Sequence, residues 1–416
     1  MFSRLFKRNK KNTELGVIFD IGSSSVGGAL VVFSSSEKPL ILYTTRKEIA
    51  FSSEVEPERL LLSMKRTLKS VALDIQKNGL KRVNFRTMKI KRVRSAYCTF
   101  SAPWYLAQPK HIKNTYKEKK SIDARFIKKI LEEEEELFLT DAIKEYGSIE
   151  KNSLYLLEHT LLKVEIDGYE ITEFHNQKTD NLELSLFSTM TPEKVAEGAI
   201  DVVSEVFHLE SFHLHSFALN SFSVVRDILG LHTFLLVDIS GEVTEVTLVR
   251  DGKILESGTF PFGINTFARR AGVLLKLSNE DVFSLMSLKS EEEKSVLIFD
   301  EKKEKTLHEV ETEWCQQFSD LIKDFGRNNV ISSHMVLMTD ARFSSFFKRL
   351  FQQEPVVKNL SYGFTPDITI ASYEKFEEYV QTAKDVKKDT FLSMETIFFN
   401  TFHEIYDEGG LDTFHS

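Results

Sequence analysis

The sequence predicts an α/β protein containing one unit twice. Three observations carry this expectation. An apolar run from Leu15 ends in Asp20, turns through Gly22, Ser23, Ser24 and Ser25, and returns as a second apolar run from Ala29. A second run, starting at His232, ends in Asp238, turns at Ser240 and Gly241, and returns through Val249. Between and after these units, segments with helical apolar spacing alternate with short β-rich runs.

Each element has a local reason. Leu40 to Thr45 reads as a third strand. Pro57 to Gln76 reads as a helix, with Leu60, Leu61, Met64, Leu68 and Val71 on one side. Arg82 to Phe100 is a basic strand region whose cations form a solvated face. Ser121 caps a helix through Phe126, Ile127, Ile130 and Leu131, and the Glu132 to Glu136 run is its solvated side. Leu154–Leu162, Val164–Ile166 and Leu182–Ser188 read as strands, with Asp167-Gly168 as a hairpin turn. Thr191-Pro192 opens a helix, Thr as cap and Pro at the first position. Phe212–Phe217 is a strand and Ala218–Leu229 a helix. Asp251-Gly252 is a second tight turn. Trp314, Phe318, Leu321, Ile322 and Phe325 share one helical face and belong to a core. Val336–Met338 is a strand, Phe343–Phe351 a short basic helix, and Lys289–Lys305 an exposed connection around one short strand. The last forty residues carry no strong period.

Composition bounds the function. A chain of 416 residues is expected to form two or more domains. Its net charge of -8 argues against a general nucleic-acid binder, because little offsets phosphate repulsion. The two cysteines, Cys98 and Cys315, supply no disulfide framework and fit a reducing compartment. No run reaches the length of a membrane span. Residues 1–13 read as a basic amphipathic or disordered segment. Within it Phe2, Leu5 and Phe6 lie among Arg4, Lys7, Arg8, Lys10 and Lys11, so residues 1–11 could contact an anionic membrane surface. The expected location is cytoplasmic, with the inner face of the cell membrane as a peripheral site.

The first hairpin carries the chemistry. A Gly/Ser turn presents backbone N–H groups and small hydroxyls, which suits phosphate, and Asp20 at its mouth could hold Mg²⁺ through water. An edge hairpin with a Ser-rich turn has the same pattern. Neither a P-loop nor a dinucleotide fingerprint is present.

Taken together, FDIGSSSVGGALV (Phe19–Val31), VDISGEVTEVTL (Val237–Leu248) and SGTFPFGINTFARRAG (Ser257–Gly272) resemble the phosphate-binding segments of the actin-like ATPase superfamily. The block from Pro103 to Ser188 resembles the small inserted domain of its bacterial FtsA and PilM branch. The resemblance implies duplicated actin-like (ribonuclease H-like) domains with an α+β insertion. Residues 14–100 and 190–229 would form the first actin-like domain, 101–189 the insertion and 230–358 the second domain. Residues 359–416 would be a C-terminal extension or the remainder of that second domain. It implies ATP and Mg²⁺ as cofactors. Asp20, Gly22, Ser23, Ser24, Ser25, Ser240 and Gly241 would hold phosphates, Asp20 and Asp238 the metal through water, and Asp238 with Thr244 would position the attacking water.

Two departures weaken that chemistry. Ser240, Glu242 and Val243 stand where the family favours small Gly and Thr, and Glu242 repels phosphate unless it points away or works through Mg²⁺. Thr339, Asp340, Ala341 and Arg342 replace the glycines that allow close approach to adenosine. The expected function is therefore a cytoplasmic scaffold or adaptor in cell division or type IV pilus-type membrane assembly. Its partner would be the cytoplasmic tail of a membrane protein or a polymerising division protein, or a second copy of itself. An active Mg-ATP-dependent ATPase or small-molecule kinase is the alternative.

Overall fold

Both Asp-bearing hairpins become the centre of a mixed sheet. The computed structural model describes residues 13–50, 56–84, 92–146, 153–171, 177–289, 301–353, 356, 360 and 365–402. In the first half, β1 (Thr13–Ile21), β2 (Ser25–Ser34) and β3 (Leu40–Glu48) form an antiparallel meander, followed by α1 (Pro57–Asp74). The next strand, β4 (Ser95–Phe100), lies parallel to β1 on its other side.

The chain then leaves this sheet. Segments β5 (Leu106–Ile122), α2 (Ala124–Tyr146), β6 (Leu154–Ile166), β7 (Tyr169–Glu170) and β8 (Gln177–Pro192) build a separate sheet of order β5-β8-β6-β7. It returns through α3 (Glu193–Ser204) to β9 (Ser211–Ser216), parallel to β4, and α4 (Phe217–Ile228).

The second half repeats the plan without the excursion. It contains β10 (Phe234–Ile239), β11 (Thr244–Arg250), β12 (Lys253–Phe260), α5 (Ile264–Leu275), α6 (Asn279–Lys289), α7 (Glu301–Gly326), β13 (His334–Thr339), α8 (Ser344–Leu350) and β14 (Asp367–Ile370). Its sheet runs β12-β11-β10-β13-β14, and the first runs β3-β2-β1-β4-β9 with one further short strand at the β3 edge. In both, the first strand of the hairpin is central, antiparallel to its successor and parallel to the strand after the crossover. Central strands bury both faces, which is why β1 and β10 read as apolar runs rather than as alternation.

Several local expectations give way to particular contacts. Asp123, not Ser121, caps α2: its carboxylate accepts from the Phe126 amide at 2.8 Å, while Ser121 still lies in β5, paired with Lys178 of β8. Thr191 does not cap α3, because its hydroxyl donates to the Trp104 carbonyl at 2.6 Å. From Glu301 the supposed charged connection is already helix α7, and residues 290–300 lie outside the described residues. The basic strand region contributes only β4, with residues 85–91 outside the described set.

The described part of residues 359–416 divides between the two halves. Strand β14 completes the second sheet, whereas β15 (Gln381–Thr382) pairs with β3 and α9 (Thr390–Thr401) packs on the first sheet and on α4. An apolar helix covered on both sides has no one-sided period to read: Leu392, Met394, Ile397, Phe398 and Phe399 are all buried. The expected membrane contact of residues 1–11 lies outside the described residues. No helix among the described residues is long and apolar enough to cross a membrane.

Candidate functional site: the facing hairpin turns

The β1–β2 and β10–β11 turns meet. Ser23 Oγ and Ser240 Oγ are 3.2 Å apart, and the Glu242 amide donates to Ser23 Oγ at 3.0 Å. Gly241 lies against Ser24 so closely that a Cβ there would come within 2.6 Å of the Ser24 Cβ and 2.8 Å of its backbone nitrogen. Ser240 also bonds to the carbonyls of Ala102 and Val243, at 3.2 and 2.9 Å. The indole of Trp104 donates to the Gly22 carbonyl at 2.9 Å and fixes the first turn from the side of the insertion.

Several of the backbone groups expected to cradle an anion are engaged. The Gly22 amide donates to Ser25 O at 3.0 Å and the Ser240 amide to Val243 O at 3.1 Å. At the start of α5, the Ile264 and Asn265 amides donate to the carbonyls of Ser240 and Gly241, at 2.9 and 2.7 Å. These are the N–H groups that a helix start otherwise offers to a phosphate.

Asp20 is 5% exposed and faces a cation from its own sheet. Across three strands the register places Asp20 opposite Gly27 and Gly27 opposite Arg46. Because Gly27 has no side chain, Arg46 lies over it and its Nη2 reaches Asp20 Oδ2 at 2.7 Å. A Cβ on Gly27 would come within 2.6 Å of that nitrogen. The same guanidinium donates to both carboxylate oxygens of Asp389, at 2.8 and 3.0 Å, and to Ser25 Oγ at 3.1 Å. Asp389 caps α9, accepting from the Leu392 amide at 3.1 Å. Burial works to raise the Asp389 carboxyl, but Arg46 and that amide hold it below the usual range. Burial raises Asp20 against the pull of Arg46.

Asp238 has a different neighbour. It is 7% exposed, and its cross-strand partner is Glu245. Burial, then Glu245 and Asp20, push the Asp238 carboxyl well above the carboxylate range. Burial raises Glu245 to about 7, even though the Tyr105 hydroxyl donates to it at 2.5 Å. Tyr105 also accepts from the Ala218 amide at 3.3 Å, so one phenol joins the insertion, the start of α4 and β11. A second link runs from Lys253 to Glu165 of the insertion at 2.7 Å.

The other predicted residues separate. Thr244 follows strand alternation to the face opposite Glu245, where its hydroxyl donates to Phe262 O at 2.7 Å and accepts from the Trp314 indole at 3.3 Å. Glu242 points away from the first turn. Its carboxylate is forked by Arg269 and bonded by Asn265 Nδ2 at 3.0 Å and Thr266 Oγ1 at 3.3 Å. At the adenosine end, Thr339 bonds to Ile239 O at 3.2 Å. Arg342 forks to Asp340 and reaches Glu48 of β3 at 3.4 Å, spanning the two halves.

Mg-ATP does not fit the residues as they stand. The two turns are in hydrogen-bond contact and Asp20 is paired with Arg46, so a phosphate and a metal ion would have to displace both sets of contacts. Among the described residues no group of three His, Cys, Asp or Glu side chains could hold a metal ion.

Fold and site together define the actin-like ATPase fold: two sheets of one topology, hairpin turns facing across the middle, and a small domain inserted in the first half. Among solved structures, the chain is similar to PilM in a PilM–PilN type IV pilus biogenesis complex, with a TM-score of 0.61 at 12% identity over 94% of this chain and 99% of that one. It is also similar to the ethanolamine utilization protein EutJ of Carboxydothermus hydrogenoformans, with a TM-score of 0.41 at 10% identity over 96% and 95% of the two chains. The ROK hexokinase of Thermus thermophilus gives 0.39 at 10% identity over 94% and 99%. No protein-family model and no curated protein sequence matches the chain.

The sequence reading missed Arg46, Tyr105, Glu245 and Asp389. One signal was present: a three-residue turn after Ile21 sets Asp20 opposite Gly27, a position kept free for a neighbour's side chain.

Proposed function

We propose that this chain is an actin-fold scaffold of a type IV pilus-type bacterial membrane assembly, acting on the cytoplasmic side through contact with the cytoplasmic tail of a membrane protein. The observation that carries the reading is the contact between the two turns, Ser23 and Ser24 against Ser240, Gly241 and Glu242. A cleft filled by its own turns favours a role in which the surface is used and the cleft is not. The shared fold with PilM, solved in complex with PilN, supports a pilus-type assembly over a division filament. An ATPase or kinase would need the turns to part and a base to face the opening, and Asp238 is buried.

The test is affinity capture on the full chain from detergent-solubilised membranes of its host, with and without Mg-ATP. A membrane protein with a cytoplasmic tail should be retained equally in both conditions, and a synthetic peptide of that tail should compete it off. Retention of no membrane protein, together with ATP turnover stimulated by a small-molecule substrate, would overturn the reading in favour of an enzyme.

A further inference from the structure

We infer that Arg46 is the resident cation of the Asp20 site and stands in place of a divalent metal. The inference rests on the reading of the cleft as self-filled and is independent of which partner the scaffold meets. Four features converge on the guanidinium. Its Nη2 sits 2.7 Å from Asp20 Oδ2, its Nε and Nη2 engage both oxygens of Asp389, and its Nη1 reaches Ser25 Oγ. Gly27, between Asp20 and Arg46 in the sheet, leaves the passage through which the side chain crosses. The arrangement is a built one: the arginine comes from β3, its two carboxylates from the end of β1 and the cap of α9, and its hydroxyl from the start of β2.

The geometry of the donors explains why a guanidinium suits this place. A planar fork can satisfy Asp389 with two parallel bonds while a further N–H faces Asp20. An arginine stays charged at every accessible pH, and the flanking carboxylates hold it so. A divalent ion at Asp20 would lie against that permanent positive charge. Metal binding would therefore require Arg46 to leave, which breaks its bonds to Asp389 and loosens the cap of α9. The first turn is thus tied by Arg46 to the helix that ends the described chain, a connection independent of nucleotide.

Thermal melting of the full chain tests this, using wild type, Asp20→Asn, Arg46→Met and the double variant, each with EDTA and with millimolar Mg-ATP. The wild type should melt at the same temperature in both conditions. Each single variant should melt lower by about 2–5 °C, equally in EDTA and Mg-ATP. The double variant should lose clearly less than the sum, because the two residues act as one pair. A wild type stabilised by Mg-ATP, with Asp20→Asn erasing that gain and leaving the EDTA value unchanged, would overturn the proposal. If a variant does not fold, the wild-type pair of curves still decides: equal melting supports a resident arginine, and a Mg-ATP-dependent rise rejects it.

Discussion

The two hairpin units share a topology and differ in what stands beside the aspartate. In the first, the row across the sheet reads Asp20, Gly27, Arg46; in the second it reads Asp238, Glu245, Thr259. A glycine in the middle admits a cation from the third strand, which pulls Asp20 down against the burial that raises it. A glutamate in the same place brings a second carboxylate to a buried site: burial raises both groups, and Glu245 raises Asp238 further. Burial raises the aspartate in both units, and the residue on the neighbouring strand sets whether a cation opposes that shift or a second carboxylate adds to it.

This difference can be broken from either side. The largest expected effect is Arg46→Met, which leaves Asp20 and Asp389 facing each other without a cation. It should cost about 2–4 kcal/mol in urea denaturation. Next comes Glu245. A folded-state value of about 7, raised from 4.5, means that the folded chain holds a proton the unfolded chain has released. That contribution is fully present below about pH 4.5 and is lost as pH rises through 7, by about 3 kcal/mol. Glu245→Gln should flatten this part of the pH profile and be more stable than wild type at pH 8, measured as the urea midpoint at pH 5 and pH 8.

Gly241→Ala should be milder. The new methyl meets the Ser24 backbone, so the turns must part, and a loss of about 1–3 kcal/mol is expected. Small-angle scattering should register the separation of the two halves. The smallest effect belongs to Glu48→Ala. Its exposed pairing with Arg342 spans the halves but is screened by water, and the urea midpoint should move by under about 0.5 kcal/mol.

Most of the architecture was legible because it rests on periodicity. Apolar runs marked β1 and β10, helical spacing marked α1 and α7, and Asp-Gly marked the turns at Asp167 and Asp251, both at positive φ. The site was legible only in its backbone half. Ser23, Ser24, Ser240 and Gly241 meet at the turns, but Thr244 does not join them, since strand alternation sends it towards Trp314. Arg46 depends on the β2–β3 register, which shifts at Leu30/Val31, and Asp389 on a crossing from the second half back to the first. Tyr105 meets Glu245 only because the insertion packs beside β12. Long-range placements of this kind leave no local period in the sequence.

The most direct test of the account is calorimetric titration of the folded full chain with Mg-ATP. The self-filled cleft predicts no saturable heat, for the wild type as for Asp20→Asn and Asp238→Asn. Micromolar binding by the wild type, weakened by both substitutions, would contradict it and place phosphates between the turns.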